Sequence, residues 1–216
     1  MTDIAAIERA ELTELMHQVG PLADTLCESW NVRDLAAHLY VRENEPWNVV
    51  GAFVKPLAGV TERAMRRVQQ EHDFDALVDL IAAGPKGVTP FRLKAVDRAA
   101  NGFEYFVHHE DVRRAQPNPA PRLIAPDVDQ QLWEQLLPMA KAKFRRPKVG
   151  IVFVRTRDGQ PTGEEHAVSL GPSPVKIIGD PAELTMWLAG RTDHANVQFD
   201  GPQQSQDLIK KIQLKV

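Results

Sequence analysis

Apolar residues recur at helical spacing through the first two-thirds of the chain and then give way to short β-branched runs. Ile4, Ile7, Leu12, Leu15, Met16 and Val19 predict a first helix, stopped by Gly20-Pro21. Asn31, with Asp34 three residues on, predicts an N-cap and a variant capping box opening a helix that runs through about Glu43. Pro46, Gly51, Pro56 and Gly59 make residues 44–60 a long loop or broken helix. Helices are expected at about 61–70 and 74–83, separated by His72-Asp73. Gly84-Pro85-Lys86-Gly87 and Pro90 mark a further loop, and a strong helix follows over about 93–115.

Residues 116–121 carry three prolines, which favour an extended, semi-rigid connection. One more helix is expected over about 127–144, ending at Arg145-Arg146-Pro147. The texture then changes. Residues 149–155 are apolar and β-branched, Arg157-Asp158-Gly159 is a turn signal, and 166–170 and 175–178 read as further strands. Asp180-Pro181 opens a helix by the cap-then-proline rule, ending near Gly190. Residues 195–199 are strand-like, and 205–212 predict a last helix. The expectation is an α+β protein with its boundary near 146–148: a helical bundle over 1–146 and a small α+β domain over 147–216.

At 216 residues the chain suits one large or two modest domains. Its hydrophobic (43%) and charged (25%) fractions are those of an ordinary globular protein. A net charge of −3 offers no basic field to hold a phosphate backbone, which argues against nucleic acid as a partner. Cys27 is the single cysteine, so no internal disulfide forms and a reducing cytoplasm fits. Residues 1–10 hold no apolar run, so no secretory signal is expected. No stretch approaches the roughly 18–20 apolar residues of a membrane span.

Candidate chemistry lies in Glu104-Tyr105-Phe106-Val107-His108-His109-Glu110-Asp111 and in a distant histidine, His38. Glu104 and His108 are four apart and share a helix face. A carboxylate and an imidazole so placed can grip one metal ion, and a third ligand from another helix would leave a coordination position open. On a wheel stepping about 100° per residue and centred on Phe103, Val96, Ala100 and Val107 form the apolar stripe. Glu104, His108 and Asp111 cluster on its edge. His109 points to the far side, so it is expected in solvent. Glu110 also falls near the stripe, and the sequence offers no physical reason for it. In the helix of His38, Val32, Leu35 and Leu39 form the stripe, flanked by His38 and, one turn later, Arg42. Interhelical metal sites in bundles are built from such inward-facing side chains. The alternative is a hydrogen-bonded core histidine and a helix-stabilising Glu–His pair, although burying Glu104 without a cationic partner is costly.

Trp30-Asn31-Val32-Arg33-Asp34-Leu35-Ala36-Ala37-His38-Leu39 resembles the W-x-V-R-D-L-x-x-H helix of the DinB-like, mycothiol-dependent maleylpyruvate isomerase family. Glu104 to Arg114 resembles that family's E-x-x-x-H-x-x-D helix, and Gly179-Asp180-Pro181-Ala182-Glu183-Leu184 with Trp187-Leu188-Ala189-Gly190-Arg191 resembles the core of its second part. The likeness spans nearly the whole chain and is closest to an actinobacterial branch of metal-binding proteins. It implies a four-helix metal-binding bundle followed by a smaller α+β domain. It also implies His38, Glu104 and His108 as metal ligands, with Asp111 as a partner that orients one of them.

Two imidazoles, one carboxylate and an open position suit Zn²⁺. The same donor set describes the facial triad of non-haem iron enzymes, and the spacing leaves iron, nickel and manganese open. A divalent cation lowers the pKa of a bound thiol and so makes a nucleophile at neutral pH. In the resembling enzymes the thiol is mycothiol, and the implied activity is isomerase or S-transferase on a small electrophilic substrate. A non-catalytic metal- or small-molecule-binding protein of the same fold is the main alternative, and apolar-ligand binding by a sterol-carrier-like C-terminal domain is a weaker one. Arg42 is the candidate contact for an anionic group, against a plain salt bridge. Arg191 would line a cofactor cleft or merely cap its helix. Cys27, just before the Trp30 helix, is a candidate reactive thiol, against the commoner reading of a lone cysteine as a small buried hydrophobe. The four tryptophans read as core or cleft packing, Arg66-Arg67 and Arg113-Arg114 as solvated faces, and His17, His72, His166 and His194 as lacking partners at metal spacing.

Overall fold

The computed structural model describes residues 3–27, 29–48, 58–86, 89, 94–119, 122–144 and 149–212. The chain divides into two compact units between residues 121 and 122. Together they form a mixed helical and sheet protein, as the sequence pattern predicts.

The first unit is helical: α1 (Ile4–Val19), α2 (Val32–Asn44), a 3₁₀ turn at Pro46–Asn48, α3 (Ala58–Glu71), α4 (Phe74–Ala82) and α5 (Lys94–Ala115). Local chemistry sets the ends. Gly20, at φ 81°, donates its N–H to the Met16 carbonyl and stops α1. Asn31 and Asp34 exchange side-chain and backbone hydrogen bonds at 3.0 and 3.2 Å, a capping box that opens α2 as expected. Asp73 caps α4 by accepting from the Ala76 N–H at 2.8 Å. Helix α1 packs on α4 and α5, and α2 packs on α3 and α4. Leu12, Met16, Leu35, Leu39, Val68, Leu77, Ile81 and Tyr105 fill the shared core.

Helix α5 is the axis of this unit. From Asn101 to Val112 every residue except Glu104 is buried. A helix wrapped on all sides has no solvent face, which corrects two expectations. His109 is buried, its Nδ1 donating to Glu8 Oε2 of α1 at 2.9 Å. Glu110 is buried too, clamped by Arg113 Nη2 at 2.7 Å and Arg114 Nε at 2.6 Å. Those arginines therefore lie partly buried against a carboxylate rather than on a solvated face. Burial alone would raise the Glu110 pKa, but the two guanidiniums outweigh it and bring it down to about 2.

The second unit comprises α6 (Pro126–Lys143), β1 (Ile151–Arg157), β2 (Gln160–Ser169), β3 (Val175–Gly179), α7 (Pro181–Leu188), β4 (Gln198–Asp200) and α8 (Gln203–Lys210). The sheet order is β2-β1-β3-β4. Strands β1 and β2 form an antiparallel hairpin whose turn residues, Asp158 and Gly159, both have positive φ. Strand β3 runs parallel to β1 and antiparallel to β4. The link from β2 to β3 crosses tightly beneath β1, where a Cβ on Gly150 would stand 2.9 Å from the Gly171 carbonyl oxygen.

The division at 121/122 differs from the expected boundary near 146–148. Helix α6 belongs with the sheet, because Trp133, Leu136 and Ala140 share one core with Ile151, Phe153, Ile177 and Trp187. Charge reinforces this. Arg155, buried on β1, binds Asp129 and Gln130 of α6 and Glu164 of β2. Trp133 and Trp187 are core residues as expected, whereas Trp47 is 84% exposed. Among the described residues no helix is long and apolar enough to cross a membrane.

Replacing Arg155 by Met leaves the buried Asp129 carboxylate, among the described residues, only the more distant Arg157 guanidinium at 3.6 Å, and should cost about 2 kcal/mol in urea denaturation. Because the folded pKa of Glu110 lies below its ordinary value of 4.5, its contribution is full above pH 4.5 and is lost as pH falls towards 2. Glu110→Gln should therefore destabilise the protein by about 3 kcal/mol at neutral pH, and the gap should close progressively below pH 4.5 in acid titrations.

Candidate metal centre

Helices α2 and α5 bring His38, Glu104 and His108 together. His38 Nε2 lies 3.5 Å and His108 Nε2 3.2 Å from the same oxygen, Glu104 Oε1. The two imidazole rings are 5.6 Å apart between centroids and inclined at 73°. One donor atom from each of the three residues falls within a sphere of contacts no wider than 4.8 Å. Donors of a tetrahedral ion with bonds of about 2.0–2.2 Å stand roughly 3.3–3.6 Å apart. The two nitrogen–oxygen separations are thus close to those that a shared ion sets, and the donor types are those zinc takes. Both histidines are buried, and Glu104 keeps a fraction of its side chain open to solvent. The indole of Trp30 packs over His38 at 5.0 Å.

The protonation states follow from the surroundings. Burial depresses the His38 pKa, and the neighbouring His108 and Arg42 charges add to this against the pull of Glu104. His38 is therefore a neutral imidazole at neutral pH, which is the ligating form. Burial would also depress His108, but hydrogen bonds to Asp111, Cys27 and Glu104 outweigh it and hold its pKa well above the ordinary value. Its ring lies between two carboxylates, with Nδ1 donating to Asp111 Oδ2 at 2.9 Å and Nε2 facing Glu104. Burial would raise the Glu104 pKa, yet the two histidines and Arg42 overcome it and keep the carboxylate ionised. His38 Nδ1 is buried without a hydrogen-bond partner.

Arg42 lies where its helix phase predicts, with Nε 3.3 Å from Glu104 Oε1. Its Nη1 donates to Asn101 Oδ1, and Asn101 Nδ2 donates to Glu43 Oε1 at 2.7 Å. Arg9 of α1 binds the same Glu43 oxygen, so a buried polar chain runs from the cluster to α1. Arg191 belongs to the second unit. There its Nη1 donates to the Ala189 carbonyl at 2.7 Å, the helix-capping role.

The sequence does not place Cys27 beside the cluster. Its thiol lies 3.2 Å from Asp111 Oδ2 and 3.7 Å from His108 Nδ1, on the ring edge opposite Glu104. The one signal available was its place three residues before Trp30, at the entry to the His38 helix. His17 stands between the exposed Asp75 and Asp79, at 3.3 Å from its Nδ1 and 3.2 Å from its Nε2, so the two carboxylates face different ring nitrogens. Stacking of His166 on Trp133, 4.7 Å between centroids, gives that histidine a packing role.

No family model and no curated protein matches the chain. Two solved structures do. One is the mycothiol-dependent maleylpyruvate isomerase, at 15% identity over 91% of this chain and 90% of that one, with a TM-score of 0.53. The other is a histidine-to-alanine variant of the mycothiol-dependent maleylpyruvate isomerase, with the same identity and coverage and a TM-score of 0.55. The chain shares that fold. At this identity the likeness is one of architecture, and the chemistry rests on the residues described above.

Since His108 is held protonated between two carboxylates, an incoming cation must displace a proton to reach Nε2. Divalent-cation affinity should rise with pH through the neutral range, with proton release on binding. Calorimetry in buffers of different ionisation enthalpy measures both, and binding without proton release would contradict this arrangement.

Proposed function

We propose that the chain is a metal-dependent protein, with Zn²⁺ held by His38, Glu104 and His108. It acts with a low-molecular-weight thiol such as mycothiol, as isomerase or S-transferase on a small electrophilic substrate. The observation that carries this reading is the approach of two histidine Nε2 atoms, from two helices, to one Glu104 oxygen at 3.2 and 3.5 Å. The shared architecture with a mycothiol-dependent isomerase supports the choice of thiol. So does the helical first unit, read as a DinB-like four-helix bundle with an additional short helix.

A divalent cation in this cluster would supply the Lewis acidity that keeps a bound thiol deprotonated at neutral pH. The protein's own groups do the rest. Asp111 fixes the His108 tautomer, with the proton on Nδ1 and Nε2 turned to the cluster. Trp30 covers His38 and limits water on that side. Arg42 places a positive charge beside Glu104, suited to an anionic group on the substrate. Addition of a thiol to a conjugated double bond, rotation about the resulting single bond and elimination of the same thiol interconvert cis and trans isomers. Without elimination the outcome is conjugation. The single cysteine is consistent with a reducing, cytoplasmic setting.

The second reading is a non-catalytic metal- or small-molecule-binding protein. The engagement of Arg42 with Glu104 and Asn101 favours it, since that guanidinium serves the ligand cluster itself.

Purified protein should carry about one zinc per chain and consume an electrophilic substrate only when thiol is supplied. His38→Ala should lower metal affinity at least about tenfold. Arg42→Met should raise KM for an anionic substrate about tenfold, the scale of one charge-assisted hydrogen bond. Metal without turnover across a panel of thiols would favour the second reading, and absence of metal binding would end the first reading and the metal-binding form of the second.

A further inference from the structure

Two imidazoles on separate helices form the cluster, and one short turn reaches both. Between Asp24 and Asn31, which pair as an isolated β-bridge, the chain leads into α2. Thr25 Oγ1 accepts from the Cys27 N–H at 3.1 Å and donates to the Trp30 carbonyl at 2.8 Å, while the Trp30 N–H donates to the Cys27 carbonyl at 3.0 Å. This turn is fastened to α5 at one particular residue, because the Leu26 N–H donates to the backbone carbonyl of Asp111 at 3.1 Å. Gln116 Nε2 adds a second tie, to the Asp24 carbonyl at 3.0 Å. At one end of the turn Cys27 meets His108 and Asp111, and at the other Trp30 covers His38.

We propose that Cys27 is a positioning residue of the metal centre: its thiol donates to Asp111 Oδ2, the oxygen that also accepts from His108 Nδ1, and so locks the His108 ring with Nε2 facing Glu104. The inference rests on the metal-centre reading given above. Asp111 has no exposed surface, so its carboxylate depends on protein donors, and its Oδ2 receives two, at 2.9 Å from His108 and 3.2 Å from Cys27. The thiol holds this oxygen at the Nδ1 edge of the His108 ring, away from the edge that faces Glu104, and the imidazole follows the oxygen. A cysteine suits the place because it packs against the apolar core like a small hydrophobe while still offering a weak donor. Its sulfur faces Nδ1, the nitrogen turned away from Glu104, and this separates a positioning role from direct ligation. Direct ligation would need the His108 ring to present Nδ1 to the ion, because Cys27, His108 and Asp111 also bring their donor atoms within 4.8 Å of one another.

Cobalt(II) and zinc binding to the full chain test this, with Cys27→Ala, Cys27→Ser and the shape-conserving, donor-free Cys27→Val beside the unaltered protein. Affinity is read by competition with a chromophoric chelator, and ligation by the cobalt spectrum. The unaltered protein should show d–d bands and no thiolate-to-metal charge-transfer band. Affinity should fall about tenfold in Cys27→Ala and Cys27→Val and recover largely in Cys27→Ser, as expected for an outer partner of a metal-binding histidine. If Cys27→Ala fails to fold, the Val and Ser pair decides alone. Wild-type affinity in Cys27→Val would overturn the proposal. So would a charge-transfer band that disappears with the thiol, which would make Cys27 a ligand. If His38→Ala and His108→Ala bind cobalt as well as the unaltered protein does, the metal-centre reading itself fails, and this proposal with it.

Discussion

One oxygen atom organises the first unit. Glu104 Oε1 meets His38 Nε2, His108 Nε2 and Arg42 Nε within 3.2–3.5 Å, and these groups come from two helices. A mostly buried carboxylate is tolerable only with such compensation. The helices are therefore held at a separation that keeps the four groups in register, and much of the polar chemistry around them serves that end. The chain from Arg42 through Asn101 and Glu43 to Arg9 extends the constraint to α1. Asp111 and the turn before α2 extend it in the other direction.

Most of the architecture could be read from residue pattern, for local reasons. Gly20, Asn31 with Asp34, Asp73 and Asp180-Pro181 are start and stop signals whose physics involves only a few neighbouring residues, and the helices begin and end beside them. Strands β1 and β3 lie where their β-branched runs predict, for a similar local reason. Strand β2, by contrast, begins at Gln160 rather than at the expected 166, because its polar first half is set by pairing with β1, and β4 spans Gln198–Asp200 rather than 195–199. The ligand trio came together for a less local reason. His38 and Glu104 are far apart in sequence, but each lay at the border of an apolar stripe, and stripes meet.

The failures share a cause: each depended on what packs against a helix, which its own sequence does not state. The wheel placed His109 in solvent because it assumed that α5 has one dry face, whereas α1 lies along another and supplies Glu8. Glu110 had no evident purpose until Arg113 and Arg114, assumed to be solvated, proved to be its partners. Helix α6 was assigned to the helices before it, since a helical period cannot say whether its partner is a helix or a sheet. Trp133 stands in one core with strand residues, and Asp129 faces the buried Arg155. The neighbours of Cys27 were not legible because a lone cysteine carries no periodicity and His108 and Asp111 are some eighty residues away.

The division at residues 121/122 has a bearing on how such a protein can diversify. His38, Glu104, His108, Arg42, Asp111 and Cys27 all precede it, and so does the turn that ties them. The downstream unit owns its core and its buried Arg155 network outright. Two modules with separate interiors accumulate mutations independently. Lineages can therefore remodel or exchange the downstream module while the one that carries His38, Glu104 and His108 stays under its own selection.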